Sequence, residues 1–169
     1  MRHWLRWALV CAMLAMAQAP SASAQTPKLI GNHGDWTVYE VTDSRGRVCY
    51  LASEPANQTG NYSRRDNPAV LVVRLPGKTG EYATVHPGYP YRKDSKVQVT
   101  IDGRKFELFT DGEHAFTYDA DDETIVESMK RGSTMTVRGT STRGTYSLDT
   151  YSLRGFTAAM EAMRGACVK

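Results

Sequence analysis

The chain is poor in the groups that carry chemistry. It has 3 cysteines and 4 histidines in 169 residues, and His33, His86 and His114 show neither H-x-H nor H-x-x-x-H spacing. That excludes the short-range histidine motifs of zinc sites and reads the three as solvated or hydrogen-bonded side chains. No G-x-S-x-G frame surrounds Ser141, Ser147 or Ser152, so a catalytic serine lacks its usual setting. Asp119, Asp121, Asp122 and Glu123 lack the D-x-[DN]-x-[DN]-G frame of a calcium loop and read as acids at a helix start. No internal repeat or low-complexity tract is present. No catalytic residue, metal ligand or cofactor is expected on these grounds. A glycosidase carboxylate pair leaves no mark in sequence, because its separation belongs to the fold.

A long apolar span is also missing. The one apolar run, residues 8–17, follows Arg2 and Arg6 and precedes Ala22-Ser23-Ala24. It is too short to cross a bilayer and reads as a secretory signal over residues 1–24, cut between Ala24 and Gln25. Cys11 lies inside the run with no small residues before it, so a lipid anchor is not expected. Residues 25–169 then form a single domain with no membrane segment. The expected location is the periplasm, peripheral to the outer membrane or beyond it, since secretion uses the same signal.

An excess of one charge is missing too. The whole chain carries 21 basic and 18 acidic residues, and two of the basic ones, Arg2 and Arg6, fall in the signal. The exported part is nearly neutral, so nucleic acid is not an expected partner. Two cysteines remain there, Cys49 and Cys167. An even pair in an exported chain reads as a disulfide, against the alternative of two buried thiols. Closing most of the chain into one loop, the bond is worth on the order of 4 kcal/mol in the chain-entropy account.

What is present is mostly strand signal. Residues 36–41 and 48–52 flank Asp43-Ser44-Arg45-Gly46 as a hairpin, and "AVLVVRL", residues 69–75, suits a central strand. Residues 81–86 follow. In "KVQVTIDGRKFELF" apolar residues alternate on both sides of Asp102-Gly103, the strongest hairpin signal in the chain. Shorter strands are expected at 114–118, 134–139 and 145–151. Two helices interrupt them. "DDETIVESMKRG" offers Asp121 or Asp122 as N-cap, with Ile125, Val126 and Met129 on one face. In the second, Ser152 is the expected N-cap, Leu153, Phe156, Met160 and Met163 form an apolar stripe, and Gly165 ends the helix.

Two stretches suggest binding. Residues 53–68, "SEPANQTGNYSRRDNP", form a long polar connection with Tyr62 beside Arg64 and Arg65, a candidate contact patch. "HPGYPYRK", residues 86–93, holds Tyr89 and Tyr91 between prolines on a stiff turn, either a ligand platform or core-edge tyrosines. "GTSTRGTYSLDTYSLRGFTAAM", residues 139–160, is the richest in hydroxyls and reads as strand, cap and final helix, structural throughout.

Several of these pieces occur together in one family. Gly34-Asp35-Trp36, Cys49-Tyr50, Gly88-Tyr89-Pro90, "IDGRKFELF" and the 139–160 stretch followed by Cys167 run in order through nearly the whole exported chain. In these the chain resembles the invasion-associated locus B family of exported alphaproteobacterial proteins. The resemblance implies a mainly β fold, an immunoglobulin-like β-sandwich with two short helices, the last at the C-terminus, in the cell envelope. It supplies no catalytic residues. The lack of a nucleophile or metal motif favours a non-enzymatic protein that binds an envelope or host-surface partner. A hydrolase acting on peptidoglycan or another glycan is the alternative.

Overall fold

The computed structural model describes residues 26–44 and 46–167. The signal, Cys11 and the Ala24–Gln25 junction lie outside the described residues. The fold is mainly β. Its strands are β1 Lys28–His33, β2 Trp36–Asp43, β3 Gly46–Ser53, β4 Asn57–Gly60, β5 Ala69–Arg74, β6 Tyr82–His86, β7 Lys96–Ile101, β8 Arg104–Asp111, β9 His114–Phe116, β10 Thr134–Thr140 and β11 Tyr146–Ser152. The helices are α1 Asp122–Arg131 and α2 Phe156–Cys167.

Every strand pairs antiparallel in one sheet of order β1-β2-β3-β5-β6-β9-β8-β7-β10-β11-β4. The sandwich is made by this sheet folding over on itself. β3 stands third in that order and β4 last. Yet only Glu54, Pro55 and Ala56 join them, a link that spans at most about 14 Å. The two ends of the sheet are therefore brought close together around one core, which runs from Trp36, Val38 and Leu51 through Val97 and Val99 to Met135 and Tyr151.

The alternating segments fold as their pattern dictates. Asp102-Gly103 forms the two-residue turn of β7–β8, with Val97, Val99, Ile101, Phe106 and Leu108 inside. β5 is central, paired to β3 and β6. Two strands went unread. β1 breaks register between Leu29 and Gly31, and β4, NQTG, is exposed along its whole length. Both are edge strands held by backbone bonds to one neighbour, which need no apolar alternation. Residues 57–60 of the long polar connection are thus strand.

α1 buries Ile125, Val126 and Met129 as expected. Asp121 occupies its N-cap position without a side-chain cap bond, and its neighbour Asp122 takes a hydrogen bond from Thr117 Oγ1. α2 differs from expectation at both ends. It begins at Phe156, not Leu153, and Gly165 lies within its last turn. The Ser152 hydroxyl accepts from the Arg154 amide in a turn and caps nothing. Gly155, at φ +89°, makes the break, and a side chain there would strike the His33 carbonyl. The apolar stripe survives the shift, with Leu153, Phe156, Met160 and Met163 all buried.

That turn joins the start of β2 to the approach to α2. The Asp35 amide donates to Arg154 O at 3.0 Å, the Arg154 guanidinium donates to Asp35 at 2.9 Å, and Trp36 Nε1 donates to Ser152 O at 3.0 Å. The rings of Trp36 and Phe156 meet edge to face at 4.9 Å. Cys49 and Cys167 form the expected disulfide, with Cα atoms 6.2 Å apart, so α2 is pinned to the inner face of β1–β3.

Candidate functional site

The far end of the same 139–160 stretch builds a groove of about 460 Å³. Its walls are residues 62–66, the turn 88–90, and residues 141–143 with Thr145, closed on one side by Glu113. Three segments distant in sequence meet here because the sheet folds over. β4 brings residues 61–66 alongside β11, where Asn61 N donates to Tyr146 O at 3.2 Å and Tyr146 N donates to Asn61 Oδ1 at 2.6 Å. The Asp66 amide donates to Gly88 O and the Thr142 amide to Pro90 O, both at 3.0 Å. Gly88 has φ +77°, and a Cβ there would run into the backbone of Asp66, so only glycine lets these walls touch.

Beneath the groove lies an ion pair. Arg65 donates to both oxygens of Asp149, at 2.8 Å to Oδ2, and its side chain is 3 % exposed against 1 % for Asp149. It also donates to Gln58 Oε1 at 2.8 Å and Pro87 O at 3.2 Å, and its guanidinium lies 4.7 Å from the Tyr62 ring. One bidentate arginine thus ties β4, the 86–93 turn and β11 together. Burial works against the Arg65 charge, but the Asp149 carboxylate outweighs it and the pKa stays raised. Tyr89 Oη shares a hydrogen bond with Ser147 Oγ at 2.7 Å and meets the Tyr91 ring edge to face at 5.6 Å.

The candidate contact residues therefore divide. Tyr62, Arg64 and Tyr89 line the groove. Arg65 is exposed chiefly through its backbone, its side chain being buried, and Tyr91, 4 % exposed, belongs to the core. Neither Arg64 nor Arg143, both exposed, has an ion-pair partner among the described residues. Within the 139–160 stretch, Ser141, Thr142, Arg143 and Thr145 face the groove. Asp149 as the groove's buried counter-ion was not foreseen, although the strand's own alternation, with Ser147, Asp149 and Tyr151 inward, carries the signal.

Burial pushes the Tyr91 and Tyr151 phenols far above their ordinary range and raises Tyr89, so all three stay neutral; of their hydroxyls only that of Tyr89 has a partner among the described residues. The Ser141 hydroxyl is shared with Thr145 Oγ1 at 2.7 Å and accepts from the Arg143 amide, with no histidine bonded to it. His86 and His114, separate in sequence, stand side by side on β6 and β9 with rings 5.2 Å apart. Among the described residues no group of three or more His, Cys, Asp or Glu is arranged to hold a metal ion. A second depression of about 530 Å³ is lined by Glu81, Asp119, Asp122 and Arg164. There burial, with Asp119 and Asp121 nearby, raises Asp122. Glu81 is lowered: burial raises it, but bonds from Arg164 and Arg74 prevail.

Comparison with known proteins places this arrangement. The family model described as Invasion associated locus B (IalB) protein matches residues 36–164. The crystal structure of invasion associated protein B from Bartonella henselae is similar with a TM-score of 0.59 at 14 % identity, covering 84 % of this chain and 98 % of that one. At that identity the likeness speaks for the fold. Among curated proteins no match was found. No helix of the described residues is long and apolar enough to cross a membrane.

Proposed function

Because the chain belongs to the invasion associated locus B family, we propose that it is an exported cell-envelope protein that binds an envelope or host-surface partner and catalyses nothing. The groove carries this reading. Exposed Arg64, Thr142 and Arg143 surround an aromatic and hydroxyl lining held rigid from beneath by Arg65–Asp149. A rigid concave surface with free guanidinium groups recognises a partial surface of a partner without needing a nucleophile. The signal over residues 1–24 supports export to the periplasm, with attachment to the outer membrane or secretion as the further step. The test is photo-crosslinking in intact cells from a probe at Thr142, with a probe at Lys78 as control. A partner captured from Thr142 alone supports the reading; capture from neither, or equally from both, contradicts it.

The alternative, a glycan hydrolase, has one observation in its favour: Asp122 raised and Glu81 lowered along one depression, the divergence expected of an acid and its partner. Against it, both Glu81 oxygens are taken by arginines, Oε1 by Arg74 at 2.6 Å and Oε2 by Arg164 at 2.8 Å. Turnover of peptidoglycan by the purified chain, lost in Asp122→Asn, would decide for it.

A further inference from the structure

The fold brings together two histidines that the sequence keeps apart. β6 and β9 pair antiparallel, with Thr84 opposite Phe116 and Val85 opposite Ala115. One residue further in the same register His86 stands opposite His114, and their rings lie 5.2 Å apart. Val85 and Ala115 belong to the core. Their neighbours His86, half-buried, and His114, exposed, therefore share the outer face. The turn that carries His114 is tied down on both sides. Gly112 has φ +58° and its carbonyl accepts from the Tyr91 amide at 2.9 Å, while the Glu113 carbonyl lies 3.1 Å from His86 Nδ1. A carbonyl oxygen only accepts, so in the neutral ring Nδ1 carries the proton and Nε2 keeps its lone pair. A backbone carbonyl that holds one ring nitrogen is a common support of a metal-binding histidine.

We propose that His86 and His114 form a two-histidine surface site for a divalent transition metal that prefers imidazole, zinc or copper(II), with water in the remaining positions. The spacing fits. A metal–imidazole bond is about 2.0–2.1 Å long, which puts each ring centre roughly 3.2 Å from the ion. Two such ligands at about 90–110° then have their ring centres about 4.5–5.2 Å apart. The rings of His86 and His114 already stand at that separation. Both sit at the joined ends of paired strands, which fixes their backbones more closely than a free loop would. Imidazole nitrogen selects such ions over magnesium and calcium, which take oxygen ligands. Asp111 stands opposite His114 on β8, and its negative charge on the same face favours a bound cation. It does not complete a three-ligand group, since none is arranged to hold an ion among the described residues. The site is therefore open and exchangeable, unlike structural zinc with its four protein ligands.

Copper(II) is the probe, because it binds nitrogen ligands most tightly in the series and reports them in its electron paramagnetic resonance spectrum. The chain purified after export is titrated with it by calorimetry. The wild type should take up one ion with two ring nitrogens coupled to the copper. His114→Gln removes an exposed ring and should leave the circular dichroism spectrum intact. It should weaken binding at least about tenfold, because a second ligand on the same chain acts at a millimolar effective concentration. His86→Gln should weaken binding alike, and the double variant should bind no less than either single one. His33→Ala, on β1 four strands from β6, should change nothing. A wild type that binds copper(II) no more tightly than the double variant overturns the proposal and leaves the pair a packing contact. So does a loss in His33→Ala as large as that in His114→Gln, which places the ion elsewhere. Partner capture from Thr142 does not depend on these rings, so the two proposals fail separately.

Discussion

The two halves of one stretch, residues 139–149 and 152–167, are held in opposite ways. The second is held by apolar burial. Phe156, Met160 and Met163 enter the core, Trp36 meets Phe156, and Cys167 closes on Cys49. The first is held by polar bonds to segments far away in sequence, through Asp149 to Arg65 and Ser147 to Tyr89. Packing fixes a scaffold, and a polar network fixes a surface.

The largest expected effect falls on the apolar half. Cys167→Ser should lower stability on the order of 4 kcal/mol, read by denaturant unfolding, with the last turn of α2 losing hydrogen-exchange protection first. Uniform loss across the sheet would break the comparison. Phe156→Ala should cost about 3–5 kcal/mol, since the ring is fully buried. In the polar half, Asp149→Asn should cost about 3 kcal/mol by leaving Arg65 buried without its counter-charge. The double replacement Arg65→Met with Asp149→Leu should be less damaging than Asp149→Asn alone. If it is worse, the pair is a larger source of stability than this account allows.

Acid sharpens the contrast. Arg154 hydrogen-bonded to Asp35 lowers its pKa from 3.8 to about 2, and Glu81 is lowered from 4.5 by Arg164 and Arg74 against the opposing effect of its burial. Both carboxylates bind fewer protons in the folded chain. The stability they contribute is complete above their unfolded values and is lost as pH falls through the folded ones. Below about pH 4.5, then, the ties of Arg164 in α2 to Glu81, just before β6, weaken, and between 3.8 and about 2 those of Arg154 follow. Acid unfolding monitored by Trp36 fluorescence should show this loss. Smallest of all, Arg64→Ala and Arg143→Ala should each change stability by less than about 0.5 kcal/mol.

Legibility in sequence followed the same division. Strands with one buried face, the Asp102-Gly103 hairpin and the α2 stripe were readable because burial imposes a period on side chains. The edge strands β1 and β4 were not, since backbone bonding imposes none. The start of α2 was misplaced by three residues, because the Gly155 turn answers to contact with His33 and Gly34, 121 residues away for Gly34. The groove was half legible. Tyr62, Arg64 and Tyr89 stood out by composition and turn chemistry, but their meeting with residues 141–145 depends on the sheet folding over. Arg65 read as a contact group and its head is buried on Asp149, whereas Tyr91, for which a core-edge place was one of the two readings, lies in the core.

The most direct test of the account is one triple variant, Tyr62→Ala with Arg64→Ala and Arg143→Ala, measured for thermal stability and for partner capture from Thr142 in the same cells. The account predicts a melting temperature close to wild type and a loss of the captured partner. A variant that melts as the wild type does and still captures the partner in full would contradict the claim that this groove is the working surface.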